Sequence, residues 1–336
     1  MKILGIETSC DETSAAVVED GRRVLSNVVA TQIEIHRKYG GVVPEIASRA
    51  HLESLVPVVT EAMEQAALAP ADLDAVAVVH RPGLIGSLLL GLTAAKTIAW
   101  LHGLPLVGIN HVESHIYAAC LDRETLPYPC LALVVSGGHT SLYVCEGPRS
   151  QKLVGATTDD AAGEAFDKVA ALLGLPYPGG PSVDRAAERG SATAVRFSRP
   201  WLAAGSFDFS FSGLKTAVLY HVRGHGANVK KRPTELSEQA IADTAASFQE
   251  CVVDVLVGKT MKAAEAYGLE RIIVGGGVAA NRRLRARLQE EADAAGLEVL
   301  LPPMRYCTDN AAMVAGLAWH YIEAGLTADL DLDAHA

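Results

Sequence analysis

Short apolar runs alternate with polar or glycine-containing turns along this chain. Residues 2–7 (KILGIE) and 14–19 (SAAVVE) are predicted strands joined by the turn TSCDET, and a third strand is predicted at 23–29. The same arrangement recurs at 130–136 (CLALVVS) and 141–146 (SLYVCE), joined by GGHT. A β-hairpin in each half of the chain indicates a weak internal repeat and duplicated α/β domains.

Helix-like segments and further strands surround these hairpins. Helices are predicted at 45–68, 86–103, 160–173, about 235–267, from near Asn281 and at about 311–324, and strands at 74–80, 271–277 and in EVLLPP. Strands that alternate with helices predict α/β domains with mixed sheets. In the loop-rich stretch 175–213, Phe207, Phe209 and Phe211 alternate, which favours a buried face over a surface that stacks bases. The last ten residues predict an acidic, frayed tail.

Composition narrows the class of protein. The 336 residues favour two domains, and 49% apolar with 20% charged residues is typical of a globular protein. No uninterrupted apolar run reaches about 18 residues, so no membrane span or membrane partner is expected. The N-terminus lacks a signal-peptide pattern, and six scattered cysteines without a C-x-x-C pair indicate reduced thiols, so a cytoplasmic location is expected.

Charge argues against a protein that coats nucleic acid non-specifically, because the net charge is −10. Two local basic runs are candidate nucleic-acid faces. They are Lys230–Lys231–Arg232 and the run Arg282, Arg283, Arg285 and Arg287. A solvated loop and a solvated helix face are the favoured interpretations of both runs.

The stretch NHVESHIY (110–117) carries the first candidate site. On a helix, His111 and His115 lie about 40° apart around the axis and can share one metal, although two ordinary helix histidines explain the spacing equally well. Zinc proteases of the H-E-x-x-H type place their glutamate base next to the first histidine. Glu113 stands two residues after His111, about 200° around the helix, so the protease hypothesis lacks its base.

A third metal ligand has to come from elsewhere in the sequence. Asp309, in CTDN, follows a predicted strand and precedes a helix, where α/β folds collect functional loops. The alternative is that Asp309 only caps the helix that begins near 311. Two histidines and one carboxylate leave coordination positions open, as catalytic metal sites do.

Three turns favour an anionic ligand. TSCDET combines hydroxyls and backbone N–H groups, SGGHT (136–140) permits close backbone approach, and GGGVAAN (275–281) leads from a strand into a helix N-terminus. Each turn alone is more often structural, and neither a Walker A loop nor G-x-G-x-x-G is present. Together they predict a nucleotide held between two domains.

Motifs along most of the chain resemble the TsaD family, the tRNA threonylcarbamoyladenosine transferases once described as glycoproteases. They are ILGIETSCDET, HRKYGGVVPEIASRAH, NHVESH, LVVSGGHT, DDAAGEAFDKVAALLGLPYPGGP, FSFSGLKT, VGGGVAANRRLR and CTDNAAM. The resemblance implies two duplicated RNase-H-like α/β domains of the actin-like ATPase and sugar kinase (ASKHA) fold, with a nucleotide and metal cleft between them. The implied domains are 1–110, joined by a helix at about 310–326, and 111–309 with a loop-rich insertion at about 175–235, followed by the tail 327–336.

The resemblance also implies site residues. His111, His115 and Asp309 would hold one divalent metal per chain, iron before zinc. Substrate contacts carry over to Val134, Val135, Ser136, Gly137, Gly138, Asp167, Gly180, Asp184 and Asn281. Asp11 or Glu12 is a candidate acceptor for the proton of the attacking amine, with a purely structural role in the turn weighed equally.

The implied reaction transfers threonylcarbamoyl from threonylcarbamoyl-AMP to the exocyclic amine of the adenosine 3′ to the anticodon (position 37). The tRNAs concerned read codons that begin with A, and AMP is released. Implied partners are tRNA, adenine nucleotides, a shorter ASKHA paralogue and a P-loop ATPase. Two rivals are a small-molecule kinase, which the histidine pair disfavours, and a non-enzymatic nucleotide-gated scaffold.

One position departs from the family pattern. The family reads G-P-G-L where this chain has Arg81-Pro82-Gly83-Leu84. Arginine adopts glycine-only backbone angles at a cost, so a changed loop conformation and altered activity are expected there.

Overall fold

The computed structural model describes residues 1–203, 205–224 and 236–336. In these residues the strands are β1 (Lys2–Glu7), β2 (Glu12–Glu19), β3 (Arg23–Thr31), β4 (Ala75–Arg81), β5 (Leu106–Asn110), β6 (Cys130–Val135), β7 (Thr140–Gly147), β8 (Ser150–Ala156), β9 (Arg271–Gly275) and β10 (Glu298–Leu300). The helices are α1 (Ile33–Arg37), α2 (Pro44–Gln65), α3 (Ile85–His102), α4 (His111–Tyr117), α5 (Ala162–Leu172), α6 (Gly179–Ala187), α7 (Ser212–Arg223), α8 (Glu238–Tyr267), α9 (Arg282–Ala295) and α10 (Ala311–Glu323).

Unit 1 comprises Met1–Tyr128, Glu146–Gln151 and Pro302–Ala336. Its sheet has the strand order β3-β2-β1-β4-β5, with β1, β2 and β3 antiparallel and β1, β4 and β5 parallel. Successive residues of β1 are buried, and successive side chains of a strand point to opposite faces, so both faces of the sheet are covered. Helices α2, α3 and α10 supply this cover.

Unit 2 comprises Pro129–Cys145 and Lys152–Leu301. Its sheet has the order β10-β9-β6-β7-β8, in which β6 and β7 form an antiparallel hairpin and β6, β9 and β10 are parallel. The predicted hairpin therefore occurs in each unit, followed in each by parallel strands. The predicted duplication of α/β domains with mixed sheets is confirmed.

The boundary between the units differs from the expected one. The sequence places a boundary after residue 110, whereas unit 1 continues to Tyr128, because α4 packs against α10. Asp309, expected in the second domain, also lies in unit 1. The histidine pair and Asp309 therefore belong to the same unit.

The C-terminal tail is not frayed, contrary to the expectation. The Ala328 N–H donates to the Leu106 carbonyl (2.8 Å), and the His335 N–H donates to the His80 carbonyl (2.9 Å). His80 Nδ1 lies 3.1 Å from the Asp333 carbonyl oxygen. Strand β5 ends the sheet of unit 1, and the tail supplies hydrogen-bond partners to groups that an edge strand leaves open. Acidic composition did not reveal these backbone contacts.

The loop-rich insertion expected at about 175–235 contains two helices that were not predicted, α6 and α7. Phe209 and Phe211 are fully buried and stacked, with ring centroids 6.3 Å apart, so the predicted burial is confirmed for these two. Phe207 is only half-buried, so the prediction is wrong for this residue. These phenylalanines do not form a regular strand, since Phe209 makes only an isolated bridge to Thr157. Lys230–Arg232 lies outside the described residues.

Helix α3 is apolar and long enough to cross a membrane by length and composition alone, and it is the one such helix among the described residues. It packs against β4 and α2, and about a third of its residues are buried.

Candidate active site

Helix α4 positions the two histidines. The Asn110 side chain caps this helix by accepting hydrogen bonds from Val112 N (2.8 Å) and Glu113 N (3.3 Å), so the helix begins at His111. His111 and His115 are buried, and their ring centroids are 4.6 Å apart. One helical turn therefore brings both rings to the same face.

Asp309 joins the histidines from the segment before α10. Its Oδ1 lies 3.1 Å from His115 Nε2 and 3.6 Å from His111 Nε2. The neighbouring Asn310 is the helix cap, because its side chain accepts from Met313 N (3.2 Å). The alternative that Asp309 serves as the cap is wrong, and the ligand atoms of His111, His115 and Asp309 lie within 4.8 Å of one another.

The surroundings of His115 fit a metal. Among the described residues, neither of its ring nitrogens has a hydrogen-bond partner, and the close Nε2 to Asp309 approach lacks hydrogen-bond geometry. A buried polar atom without a partner is costly, and a metal ion bound to Nε2, the nitrogen on the Asp309 side, would remove that cost at this nitrogen. Two imidazoles and one carboxylate suit iron or zinc and leave positions for substrate or water.

His111 has a different electrostatic environment. Burial alone would lower the pKa of His111, but the carboxylates of Asp309 and Glu7 outweigh it and raise that pKa to about 9. A cation is therefore favoured at this point of unit 1, whether it is a proton or a metal ion.

Glu113 takes no part in the cluster. Its Oε2 accepts a hydrogen bond from the Tyr321 hydroxyl (3.0 Å). The predicted separation of this glutamate from the metal side of the helix is confirmed, so Glu113 is not placed as the glutamate base of an H-E-x-x-H protease is.

The first hairpin turn presents Asp11 and Glu12. Burial raises the pKa of Glu12 well above its usual range, and the nearby carboxylates of Asp11 and Asp309 raise it further. His51 holds the turn in place, since its Nδ1 lies 2.8 Å from Thr13 Oγ1 and its Nε2 lies 3.0 Å from the Cys10 carbonyl. Glu12 is thus a carboxyl group that holds a proton more readily than an exposed one.

In unit 2, the second hairpin turn is open to a ligand. Val134 and Val135 are buried in β6, and Ser136 closes the turn by donating its N–H to the His139 carbonyl (2.8 Å). Gly137 and Gly138 are exposed, and a Cβ added to either would meet no atom within 4 Å. Their backbone is accessible, as close approach of an anion requires.

The glycine turn after β9 lies beside this hairpin. Gly276 has φ +92°, and a Cβ there would lie 2.2 Å from the Val135 carbonyl oxygen, so only glycine fits. Strands β6 and β9 are parallel neighbours, and their carboxyl ends bring the two turns together.

Asn281 connects this turn to α6 and α8. Its Oδ1 caps α9 by accepting from Leu284 N (2.9 Å), while its Nδ2 donates to Gln249 Oε1 (2.7 Å) and lies 3.5 Å from Asp184 Oδ1. The structure therefore brings Asp184 and Asn281 together. The sequence analysis missed Gln249, a buried polar residue inside a long helix.

The remaining two expected substrate contacts lie on α5 and α6. Asp167 Oδ1 accepts from Gly179 N (2.6 Å), which ties α5 to the start of α6. Gly180 lies in the first turn of α6, and a Cβ there would meet no atom within 4 Å.

Three of the four arginines of the run on α9 contact acidic side chains, and Arg285 donates to the Ala279 carbonyl (2.6 Å). Arg282 contacts Asp184 (2.6 Å), Arg283 contacts Glu250 (2.7 Å) and Arg287 contacts Glu291 (2.9 Å). These contacts support the interpretation as a helix surface rather than a basic nucleic-acid face.

Arg81 does not strain its loop. It ends β4 in register with Asn110, and its φ is not in the left-handed region. Arginine therefore fits at this position without the backbone cost that glycine-only angles would carry, and the expected change in activity stays a prediction.

Fold and site together define a class, an ASKHA-type α/β protein with a hairpin turn in each unit and a candidate His/His/Asp metal centre in one. Full-length HypF in the phosphate- and nucleotide-bound form has a similar fold, with a TM-score of 0.64 at 14% identity over 97% of this chain and 56% of that one. The (R)-2-hydroxyglutaryl-CoA dehydratase component A of Acidaminococcus fermentans has a TM-score of 0.54 at 15% identity, over 96% and 99% of the two chains.

Sequence comparison gives the family. A sequence model of TsaD, tRNA N6-adenosine threonylcarbamoyltransferase, matches residues 23–316. Proteins of that name from Anaeromyxobacter dehalogenans (strain 2CP-C) and Geobacillus kaustophilus (strain HTA426) are each 54% identical over 334 residues, covering 99% of this chain and 98% and 95% of theirs. The chain belongs to the TsaD family, and it is a transferase of tRNA modification.

Proposed function

We propose that this chain transfers the threonylcarbamoyl group of threonylcarbamoyl-AMP to the exocyclic amine of the adenosine 3′ to the anticodon, position 37, in tRNAs that read codons beginning with A. The observation that carries the proposal is the His111, His115 and Asp309 cluster, in which His115 lacks any hydrogen-bond partner among the described residues. It occurs in a chain that matches the transferase family over nearly its whole length.

The reaction requires positioning and stabilisation of charge. The adenosine amine forms a bond to the carbamoyl carbon, the bond from that carbon to the phosphate oxygen breaks, and AMP leaves with the electron pair. The accessible backbone at Gly137 and Gly138 and the N-terminus of α9 at Asn281 supply groups that favour an anionic phosphate. The mixed anhydride is already activated, so orientation of the amine is the main remaining requirement.

The metal would be held by His111, His115 and Asp309, one divalent ion per chain, with iron favoured over zinc. When bound, it supplies Lewis-acid stabilisation of negative charge on substrate oxygens. The cluster's two neutral-nitrogen donors and single carboxylate match that role.

We assign the released proton of the amine to Glu12, with Asp11 as its neighbour in the turn. The pKa of Glu12 is raised by burial and by adjacent carboxylates, and a carboxylate with a raised pKa is a better proton acceptor near neutral pH. The anticodon loop is single-stranded, so the target base reaches the enzyme without opening a duplex.

Partners are expected to share the work of holding tRNA. An exposed apolar stripe runs along α2 and α3, two helices that pack together in unit 1. Its members are Leu52, Val56, Ile85, Leu89 and Trp100, between 45% and 72% exposed. We propose that this stripe docks the shorter ASKHA paralogue, with the P-loop ATPase joining the complex, in the cytoplasm. Val56→Glu should abolish co-purification with the paralogue, because it places a charge in an apolar contact.

The test of the function is reconstitution. Threonylcarbamoyl-AMP, partner proteins and unmodified tRNA carrying adenosine 3′ to its anticodon should yield threonylcarbamoyladenosine and AMP, detected by nucleoside mass spectrometry. His115→Ala should lose the product, whereas Glu113→Gln, which removes a charge from the same helix, should keep it. Full activity of His115→Ala would favour the scaffold hypothesis, and release of peptides from casein without any modified nucleoside would reinstate the protease one.

A further inference from the structure

Glu7 is a buried carboxylate next to the candidate metal cluster. It is the last residue of β1 and is fully buried. Its Oε1 accepts the Ser9 N–H (2.5 Å), and its Oε2 lies 2.9 Å from His111 Nδ1. Ser9 Oγ lies 3.1 Å from the same nitrogen. A carboxyl group this deeply buried needs such hydrogen-bond partners.

The two nitrogens of His111 therefore have different surroundings. Nδ1 is directed at Glu7 and Ser9, while Nε2 is on the side of Asp309 and His115. In metal proteins, a ligating histidine commonly donates its second N–H to a carboxylate, which fixes the tautomer and orients the ring. We infer that Glu7 is a positioning residue that keeps a proton on His111 Nδ1 and so directs the Nε2 lone pair to the metal.

The hydrogen bonding of His115 differs from that of His111. Its ring nitrogens have no hydrogen-bond partner among the described residues, whereas His111 has both Glu7 and Ser9. His111 is consequently the ligand that the protein orients before the metal arrives. The effect of Glu7 should be specific to His111.

Glu7→Gln tests this with minimal change of shape. Glutamine has only one acceptor oxygen, and the Ser9 backbone N–H can only donate, so that oxygen stays with Ser9 and the NH₂ faces His111 Nδ1. Facing His111, the NH₂ requires the lone pair on Nδ1, which shifts the proton to Nε2 and blocks the metal. Zinc affinity, measured on the apoprotein by competition with a chelator, should fall about 10–100-fold. Glu113→Gln is the matched control and should bind zinc as the wild type does.

A purely structural role is separated by a double variant. In the His111→Ala background, Glu7→Gln should cause no further loss of zinc affinity, because the ring it orients is absent. The inference is overturned if Glu7→Gln stays within about twofold of wild type, or if it lowers affinity equally with and without His111.

A measurement on the wild type covers the case in which Glu7→Gln does not fold. Nitrogen-15 NMR of the zinc-loaded protein should show His111 coordinated through Nε2 with a protonated Nδ1, and coordination through Nδ1 would overturn the inference. The inference rests on the proposed metal site, but its readouts are zinc affinity and tautomer. A failed transferase assay would leave both interpretable.

Discussion

The contact between helix α5 and the second hairpin turn gives a quantitative prediction. Gly163, in the first turn of α5, donates its N–H to the Ser136 carbonyl (3.1 Å). A Cβ on Gly163 would lie 2.5 Å from the Ser136 oxygen and 2.8 Å from Gly137 Cα, whereas ordinary contact begins at 3.4 Å. The new Cβ of Gly163→Ala would therefore press on backbone atoms, and no flexible side chain lies there that could move away.

The expected loss of stability follows from two opposing effects. Overpacking of this kind costs about 1–3 kcal/mol, and the better helix propensity of alanine returns up to about 1 kcal/mol. A net loss of about 1–2 kcal/mol should lower the melting temperature of a domain of this size by about 2–8 °C. Because Ser136 and Gly137 must move, affinity for AMP should fall about tenfold or more, equivalent to at least about 1.4 kcal/mol.

Thermal unfolding and calorimetric titration with AMP measure both effects. Gly137→Ala is the control for stability, since its Cβ would meet no atom within 4 Å, and its stability should stay within about 0.5 kcal/mol of wild type. The reasoning is refuted if Gly163→Ala has the melting temperature and the AMP affinity of the wild type. It is also refuted if Gly163→Ala and Gly137→Ala lose equal stability.

Three further predictions concern the metal, the nucleotide and pH. His115→Ala should lose most of the bound metal by elemental analysis while Glu113→Gln retains it; full occupancy in His111→Ala/His115→Ala would contradict the site. Gly137→Val should weaken AMP binding at least about tenfold without lowering the melting temperature, because its side chain enters the open space above the turn. Burial, aided by Arg149 and Arg22, lowers the pKa of His320 from 6.5 to about 4, so the unfolded chain takes up this proton first as pH falls. Stability should drop between pH 6.5 and 4, by about 1–2 kcal/mol for a half-buried ring. Urea unfolding should show a smaller drop for His320→Gln, and equal drops would refute the assignment.

The strands at the centre of each sheet were predictable because they are apolar at successive positions. A short apolar run bounded by turn residues is typical of a strand buried on both faces, and this pattern occurs in KILGIE, CLALVV and RIIVG. Strand β8 (SQKLVGA) and helix α6, which opens with GGP, lack that signal. Polar edge strands and helices that begin at turn residues depend on neighbours that a local pattern does not contain.

The part of the candidate site that was predictable is the histidine pair, because both histidines lie on one helix. His111 and His115 are close because four residues make about one helical turn. Whether Asp309 binds a metal or caps the helix was open in sequence, because aspartate serves in both roles. Glu7 was missed because its partner, His111, lies 104 residues away. The only local signal for its role was that Glu7 is a charged residue directly after the apolar residues of β1.

Unit 1 contains both the first and the last parts of the chain, and this affects the order in which its elements are synthesised. Helix α10 covers β1, and Gly5 approaches it so closely that an added Cβ would lie 2.4 Å from the Ala311 carbonyl oxygen. The first strand is therefore synthesised long before the helix that covers it, and ribosomes add only about 5–20 residues per second. During that interval the ribosome-bound chain has both histidines but lacks Asp309, so it cannot complete the metal cluster. Assembly of the candidate metal cluster therefore waits for the last part of the chain, and a chain that ends before α10 presents an uncovered sheet to the cell's quality-control machinery.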